Sequence, residues 1–259
     1  MSIATDALAV PTRSLDIDYQ LDDAPARHTI GLVVLDTDHA TERGFRSMSQ
    51  DDDVQFFVSR VKNVSPVTIE NLRLMSPQLS QSTSLILPRT RLDSIAYSCT
   101  SGTVAIGFDE VRAALQSSHA GVPCTTPITA AMAGFEHLGI KRIAFLTPYI
   151  DAVNQPMRRY IEDRGVEVLS IHSFNLEDDV EMGRVPPSAI REAAVMVDRP
   201  DVDAIFVSCT ALRATEVIDT VERELNKPVL TSIQALFWEA VRLAKYDRPI
   251  EGYGRLLKT

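Results

Sequence analysis

Residues 94–103 (SIAYSCTSGT) and 204–213 (AIFVSCTALR) each run from an apolar segment through Ser-Cys-Thr into the start of a helix. Cys99 and Cys209 stand 110 positions apart, and the apolar runs opening at Ile30 (IGLVVLDTD) and Ile143 (IAFLTPYID) repeat at the nearly equal offset of 113. Matching registers over that distance mark an internal duplication of an α/β lobe. A chain of 259 residues accommodates two such lobes, each of roughly 100 to 130 residues.

From Ile30 onward, short apolar runs alternate with amphipathic segments, the signature of a parallel sheet flanked by helices. Strands are predicted at 30–35, 54–61, 94–98, 142–146, 166–170, 204–208 and 228–231. Val104, Phe108, Val111 and Leu115 share one helical face, as do Ile150, Val153, Met157 and Ile161 ahead of a stop at Gly165. Ala214, Val217, Ile218, Val221 and Leu225 mark a helix after Cys209. Thr126-Pro127 reads as the N-cap and first turn of a further helix closed by Gly139. Pro77 is expected to kink or split a helix over 68–84. The predicted fold class is α/β: two pseudo-twofold-related Rossmann-like lobes, each a parallel sheet flanked by helices, with the active site between them. Residues 1–28, rich in Asp and Pro, are expected to form an arm over the surface or over a partner subunit. The first lobe is assigned 29–125 plus 227–259, its last strand and helix returning to close the hinge; the second is assigned 126–226.

In an open parallel sheet, ligands bind beyond the carboxyl ends of the strands, where loops lead into helix N-termini. Cys99 and Cys209 both read as occupying that position. Helix-end N–H groups and the positive end of the dipole stabilise a thiolate and bind a carboxylate, so each cysteine is expected to be acidic and close to a bound acid group. With the lobes face to face, the thiols would reach one substrate carbon from opposite sides, one as base or nucleophile and the other as proton donor. A lone cysteine at the end of a buried strand is usually a packed hydrophobe. Packing alone, however, does not ask twice for the same flanking hydroxyls. Cys124, at the proposed hinge and without that context, is read as structural.

The formal charge of −9 and the lack of clustered Lys and Arg argue against nucleic-acid or anionic-membrane partners. No apolar run of membrane-spanning length and no secretory leader is recognised, so the chain is expected in the cytoplasm. There its three widely spaced cysteines remain thiols. The histidines lack metal-ligand spacing and no Gly-rich phosphate loop follows a strand, so neither a metal nor another cofactor is expected.

The order IGLVVLDTDHATE (30–42), YSCTSGT (97–103), LTPY (146–149) and SCTAL (208–212) resembles the Asp/Glu racemase superfamily, in the branch that holds maleate isomerase, arylmalonate decarboxylase and the ectoine utilisation protein EutA. The resemblance runs from about residue 15 almost to the C-terminus. It is strongest toward EutA, through DIDYQLDDAPARH (16–28) and FVSCTALRAT (206–215). It implies a cofactor-independent isomerase or racemase acting on a small carboxylate, and a homodimer. Cys99 would be the thiol that adds to substrate and Cys209 its acid/base partner. Thr100 and Ser101 would bind a carboxylate, with Thr210 and Ala211 as their second-lobe counterparts, and Tyr149 would bind substrate. The decarboxylase keeps only the second-lobe cysteine, so the presence of both here favours isomerisation or racemisation.

One departure from the family pattern bears on the substrate. The isomerases carry asparagine where this chain has Asp38, followed by His39. Another amide is replaced near Asp179, where Asn175 is the alternative match. An added carboxylate would repel a second substrate carboxylate, so the expected substrate carries one carboxylate and one cationic group, as ectoine-like amidinium acids and diamino acids do. His39 either assists proton transfer or caps its loop. Two further readings stay open: decarboxylation or C–N bond chemistry with Cys209 as sole proton donor, and a non-catalytic two-lobed small-molecule binder.

Overall fold

The structure, a computed structural model, describes residues 10–21, 26–50 and 52–259. Residues 1–9 and 22–25 of the expected N-terminal arm, and Asp51, lie outside the described residues. In the first half, β1 (His28–Leu35), α1 (Thr41–Met48), β2 (Val54–Val61), α2 (Ile69–Arg73), α3 (Ser76–Ser84), β3 (Ser94–Tyr97), α4 (Thr100–Ile106), α5 (Phe108–Gln116) and β4 (Cys124–Thr125) follow in turn. Their strands form a parallel sheet in the order β2-β1-β3-β4. The second half runs α6 (Pro127–His137), β5 (Arg142–Tyr149), α7 (Asp151–Glu162), β6 (Glu167–Leu176), α8 (Asp179–Gly183), α9 (Pro187–Met196), β7 (Ala204–Val207), α10 (Ile218–Leu225), β8 (Val229–Thr231) and α11 (Ser232–Leu243). Its parallel sheet has the order β6-β5-β7-β8. The duplication thus appears as two four-stranded sheets with the same connectivity.

The inner strands β1, β3, β5 and β7 are buried along almost their whole length, as strands covered by helices on both faces must be. The edge strands β2 and β6 are only partly buried. Pro77 does split the 68–84 segment, sitting in the first turn of α3 where its missing N–H leaves no bond unmade.

The fourth strand differs from expectation in both sheets. β4, which includes Cys124, pairs with β3 in a segment read only as a hinge. β8 had been assigned to the first lobe, but it pairs with β7 and completes the second sheet. The reason is symmetry: β8 stands to β7 as β4 stands to β3, and each leads into a helix closed by a capping box, Thr126 with Thr129 and Thr231 with Gln234.

Those two helices cross over. Phe135 of α6 packs edge-on against Phe206 of the second sheet, while Phe237 of α11 packs against Phe45 of α1 and Phe56 of β2 in the first half. The Ser94 hydroxyl at the start of β3 donates to the Ala240 carbonyl of α11 at 2.8 Å. Helix α11 is buried on nearly every face, the pattern of a core helix rather than a surface one. No helix among the described residues is long and apolar enough to cross a membrane.

Candidate active site

The two Ser-Cys-Thr motifs stand at the carboxyl ends of β3 and β7, the equivalent inner strands of the two sheets. Their flanking hydroxyls stitch the lobes together. Thr210 donates to the Ser98 carbonyl at 3.1 Å. Thr100 donates to the Ser232 hydroxyl at 2.9 Å, and that oxygen accepts the Cys209 N–H at 3.0 Å. Ser98 and Thr41 share a further hydroxyl contact of 2.8 Å. Cys99 and Cys209 are thereby held at one interface, each carried by its own lobe.

The backbones beneath the two thiols differ. Cys99 is extended and caps α4, its Sγ accepting the Gly102 N–H at 3.2 Å. Glycine is required at 102, because a Cβ there would lie 2.7 Å from Cys99 Sγ and 2.8 Å from Tyr97 Oη. Cys209 has φ +96° and its Sγ accepts the Ala211 N–H at 3.3 Å. The helix start expected at this point is absent: Ala214–Glu216 make a single 3-10 turn and α10 begins at Ile218. A non-glycine residue in that region of backbone space is strained by about 1–3 kcal/mol, and such strain persists where the surroundings over-determine it. Here the Ser232 bond to the Cys209 N–H is one such constraint.

Burial dominates the acidity of both thiols, contrary to the expectation of acidic cysteines. Cys99 is 4% exposed and Cys209 5%. Desolvation pushes the Cys99 thiol up to about 12; the Gly102 N–H opposes this only in part, and the charge of Asp179 adds to it. Cys209 is raised by the same burial and again by Asp179, against the Tyr149 hydroxyl and the Ala211 N–H. A short helix end does not outweigh the loss of water around sulfur. Both groups therefore rest as neutral thiols at neutral pH.

Tyr149, at the end of β5, is buried beside them. Burial, then the neighbouring Cys209 and Cys99, hold its hydroxyl well above the usual phenol range, while a hydrogen bond with Ser101 acts the other way. Asn154 fixes this strand end, accepting from the Thr147 hydroxyl at 2.7 Å and donating to the Tyr149 carbonyl at 2.8 Å. Ser101 thus lies between Cys99 and Tyr149. The Thr100 and Thr210 hydroxyls are engaged in the lobe-to-lobe bonds.

The acidic residues separate clearly. The Asp38 carboxylate accepts the Ala40 N–H at 3.0 Å, the Thr41 N–H at 2.8 Å and the Thr41 hydroxyl at 2.5 Å, so it holds the entrance to α1. Asp179, buried at the start of α8, accepts the Thr37 hydroxyl, and its charge reaches both thiols. His39 is exposed and donates through Nε2 to the Gly183 carbonyl at 3.2 Å, so it spans from the first lobe to α8. Tyr97 and Ser232 were not singled out by sequence. Tyr97 lies next to Cys99, its hydroxyl donating to Met75 Sδ at 3.3 Å. The only hint was that Tyr97 replaces the apolar Val207 of the other repeat. Cys124 is half-buried in β4, in register with Ile95 of β3. Among the described residues no three His, Cys, Asp or Glu side chains are grouped so as to hold a metal ion.

The sequence model of the arylmalonate decarboxylase family matches residues 105–257. The arylmalonate decarboxylase of Bordetella bronchiseptica is 38% identical over 141 residues, 52% of this chain and 58% of that protein. The maleate isomerase of Geobacillus stearothermophilus is 26% identical over 248 residues, 90% of this chain and 98% of that one. Among solved structures, a mutant of the Nocardia farcinica maleate cis-trans isomerase with a covalently bound succinylcysteine intermediate superposes with a TM-score of 0.82 at 23% identity, covering 89% of this chain and 98% of the other.

Proposed function

Because this chain belongs to the arylmalonate decarboxylase family, we propose that it is a cofactor-independent isomerase or racemase whose thiols, Cys99 and Cys209, act from opposite faces of a small carboxylic acid. The observation that carries this reading is the meeting of the two Ser-Cys-Thr motifs at one buried interface, linked through Ser232. Both sulfurs rest as thiols, so one must first pass its proton to solvent as substrate binds. That thiolate then takes a proton from the reacting carbon, or adds to it, and the other, still a thiol, returns a proton from the far side. Charge then builds on the adjacent carboxylate, which is held by the groups at Thr100, Ser101, Thr210 and Ala211, with Tyr149 orienting it from between the two thiols. The succinylcysteine intermediate of the Nocardia farcinica isomerase is a precedent, in that protein, for a cysteine bonded to substrate carbon.

The substrate is an amino-acid-like acid of the ectoine- or hydroxyectoine-derived kind, a reading supported by the run of residues 206–215. The enzyme works in the cytoplasm, where its thiols stay reduced, and as a homodimer. Leu15, Ile17, Tyr19 and Leu21 alternate with polar residues along the arm and stand 61–85% exposed, a face suited to a second subunit.

The test is incubation with ectoine- and hydroxyectoine-derived amino acids in deuterated water, reading deuterium at the chiral carbon by NMR. Incorporation is expected with the wild-type chain and a loss of at least 100-fold with either Cys99→Ala or Cys209→Ala, in line with removal of a general acid or base. A second reading, decarboxylation with Cys209 as the sole proton donor, is favoured by one observation: the family match spans Cys209 but not Cys99. Loss of activity with Cys209→Ala alone would establish it in place of the first.

A further inference from the structure

We infer that Asp179 is the specificity-determining acid of this site, selecting substrates that carry a cationic group beside a single carboxylate. The inference rests on the two-thiol reading above and adds to it the charge of the ligand.

Asp179 is held from both lobes. It belongs to the second lobe, and the segment around it is fastened to the first by four bonds. Thr37 donates to Asp179 itself. The Ser65 hydroxyl donates to Asp178 at 2.7 Å, the Val67 N–H to the Glu177 carbonyl at 2.7 Å, and His39 to the Gly183 carbonyl. A Cβ on Gly183 would fall 2.2 Å from the His39 ring, so the segment and the β1–α1 loop are in close contact. The carboxyl is therefore fixed at the junction where the thiols meet.

Its charge has no fixed partner among the described residues. Glu222, another buried acid, accepts the Val229 and Arg255 N–H groups at 2.9 and 2.8 Å. Asp38 accepts three hydrogen bonds, from Ala40 and Thr41 at the entrance to α1, and feels the charge of Arg60. Asp179 accepts the Thr37 hydroxyl, the like charges of Asp38 and Asp178 act against its own, and the favourable charge nearest to it belongs to His39, which is exposed. A buried acid facing a ligand site without a counter-charge is completed by a cation and opposed by an anion.

The same charge opposes ionisation of both sulfurs. A cationic group paired with Asp179 would cancel that field, so the substrate itself would ease removal of a thiol proton. A dicarboxylate would do the reverse.

Three four-carbon acids that differ at one end separate these cases: 4-aminobutyrate, butyrate and succinate. Each is titrated against the wild-type chain, Asp179→Asn and Asp179→Glu. Binding is followed by the shift in melting temperature and by protection of Cys99 and Cys209 from iodoacetamide. The wild type is expected to bind 4-aminobutyrate at least 10-fold more tightly than succinate. Asp179→Asn should abolish or invert that order and Asp179→Glu should keep it. Equal binding of the cationic and dianionic acids by the wild type, or an order that survives in Asp179→Asn, overturns the inference and leaves the two-thiol reading intact. If no acid shifts the melting point or protects either thiol, the acid-binding site itself fails and this inference with it. The wild-type comparison decides even if a variant does not fold.

Discussion

Asp38 and Asp179 are both buried at the lobe junction, and burial raises the pKa of each above the usual carboxylate range. For Asp179 the charge of Asp38 adds to that effect, while the Thr37 hydroxyl works against it. A carboxyl whose folded pKa exceeds its unfolded value binds its proton more tightly in the folded chain. It carries no penalty below the unfolded value, and stability falls as pH rises through the interval up to the raised one. Asp179→Asn removes that loss. The variant is expected to melt a few degrees above wild type at pH 7, with the difference closing as pH is lowered below the ordinary carboxylate range of about 4. Calorimetry across that range checks it, and a lower melting point at pH 7 would mean that the Thr37 bond outweighs the burial of charge. A gain in stability with a loss of binding is the mark of a residue kept for function.

At the scale of elements, the segment 177–183 is bonded to the β1–α1 and β2–α2 loops at the junction of the lobes, and the thiols are almost fully buried. Substrate is expected to enter by parting the bonds from Thr37, Ser65, Val67 and His39. The Ser65 bond to the half-buried Asp178 is itself exposed, and an exposed interaction of a charged group is worth about 1 kcal/mol or less. Ser65→Ala is expected to raise amide exchange over 177–183 several-fold while global stability stays within about 0.5 kcal/mol. Unchanged exchange in this segment would place the opening elsewhere.

The sequence makes the inner strands plain, because short continuous apolar runs such as Ile30–Leu35 read as strands buried on both faces, and Pro77 announces its own helix break. It hides β4 and β8, which at two and three residues carry no periodicity. It also misleads at Cys209, where the following Ala-Leu-Arg-Ala favours a helix by propensity but the Ser232 bond turns the backbone away. The pairing of the thiols is legible from the repeat. Their neutrality is not, since desolvation depends on what the other lobe covers. Asp38 and Asp179 are likewise indistinguishable as letters, and only their hydrogen-bond partners divide capping from an open charge.

For the molecule as a whole, α11, which follows the last strand of the second sheet, packs on the first sheet, so the first sheet is not covered by its own half alone. Phe45, Phe56 and Phe237 form an aromatic cluster that joins α11 to the first half, while Phe135, Phe145 and Phe206 form one within the second. The lobes should therefore unfold together. Trp238, the only tryptophan, lies buried on α11 and reports the junction directly. Its fluorescence and the far-ultraviolet circular dichroism are expected to follow one coincident urea transition, the signature of a single cooperative unit. Two separated transitions would show that each lobe holds itself together. A rigid junction is what two-faced chemistry needs, because an error of even 1 Å between the thiols would cost about 100-fold in rate. Motion is then left to the loops over the cleft, which can open while α6 and α11 keep Cys99 and Cys209 in register.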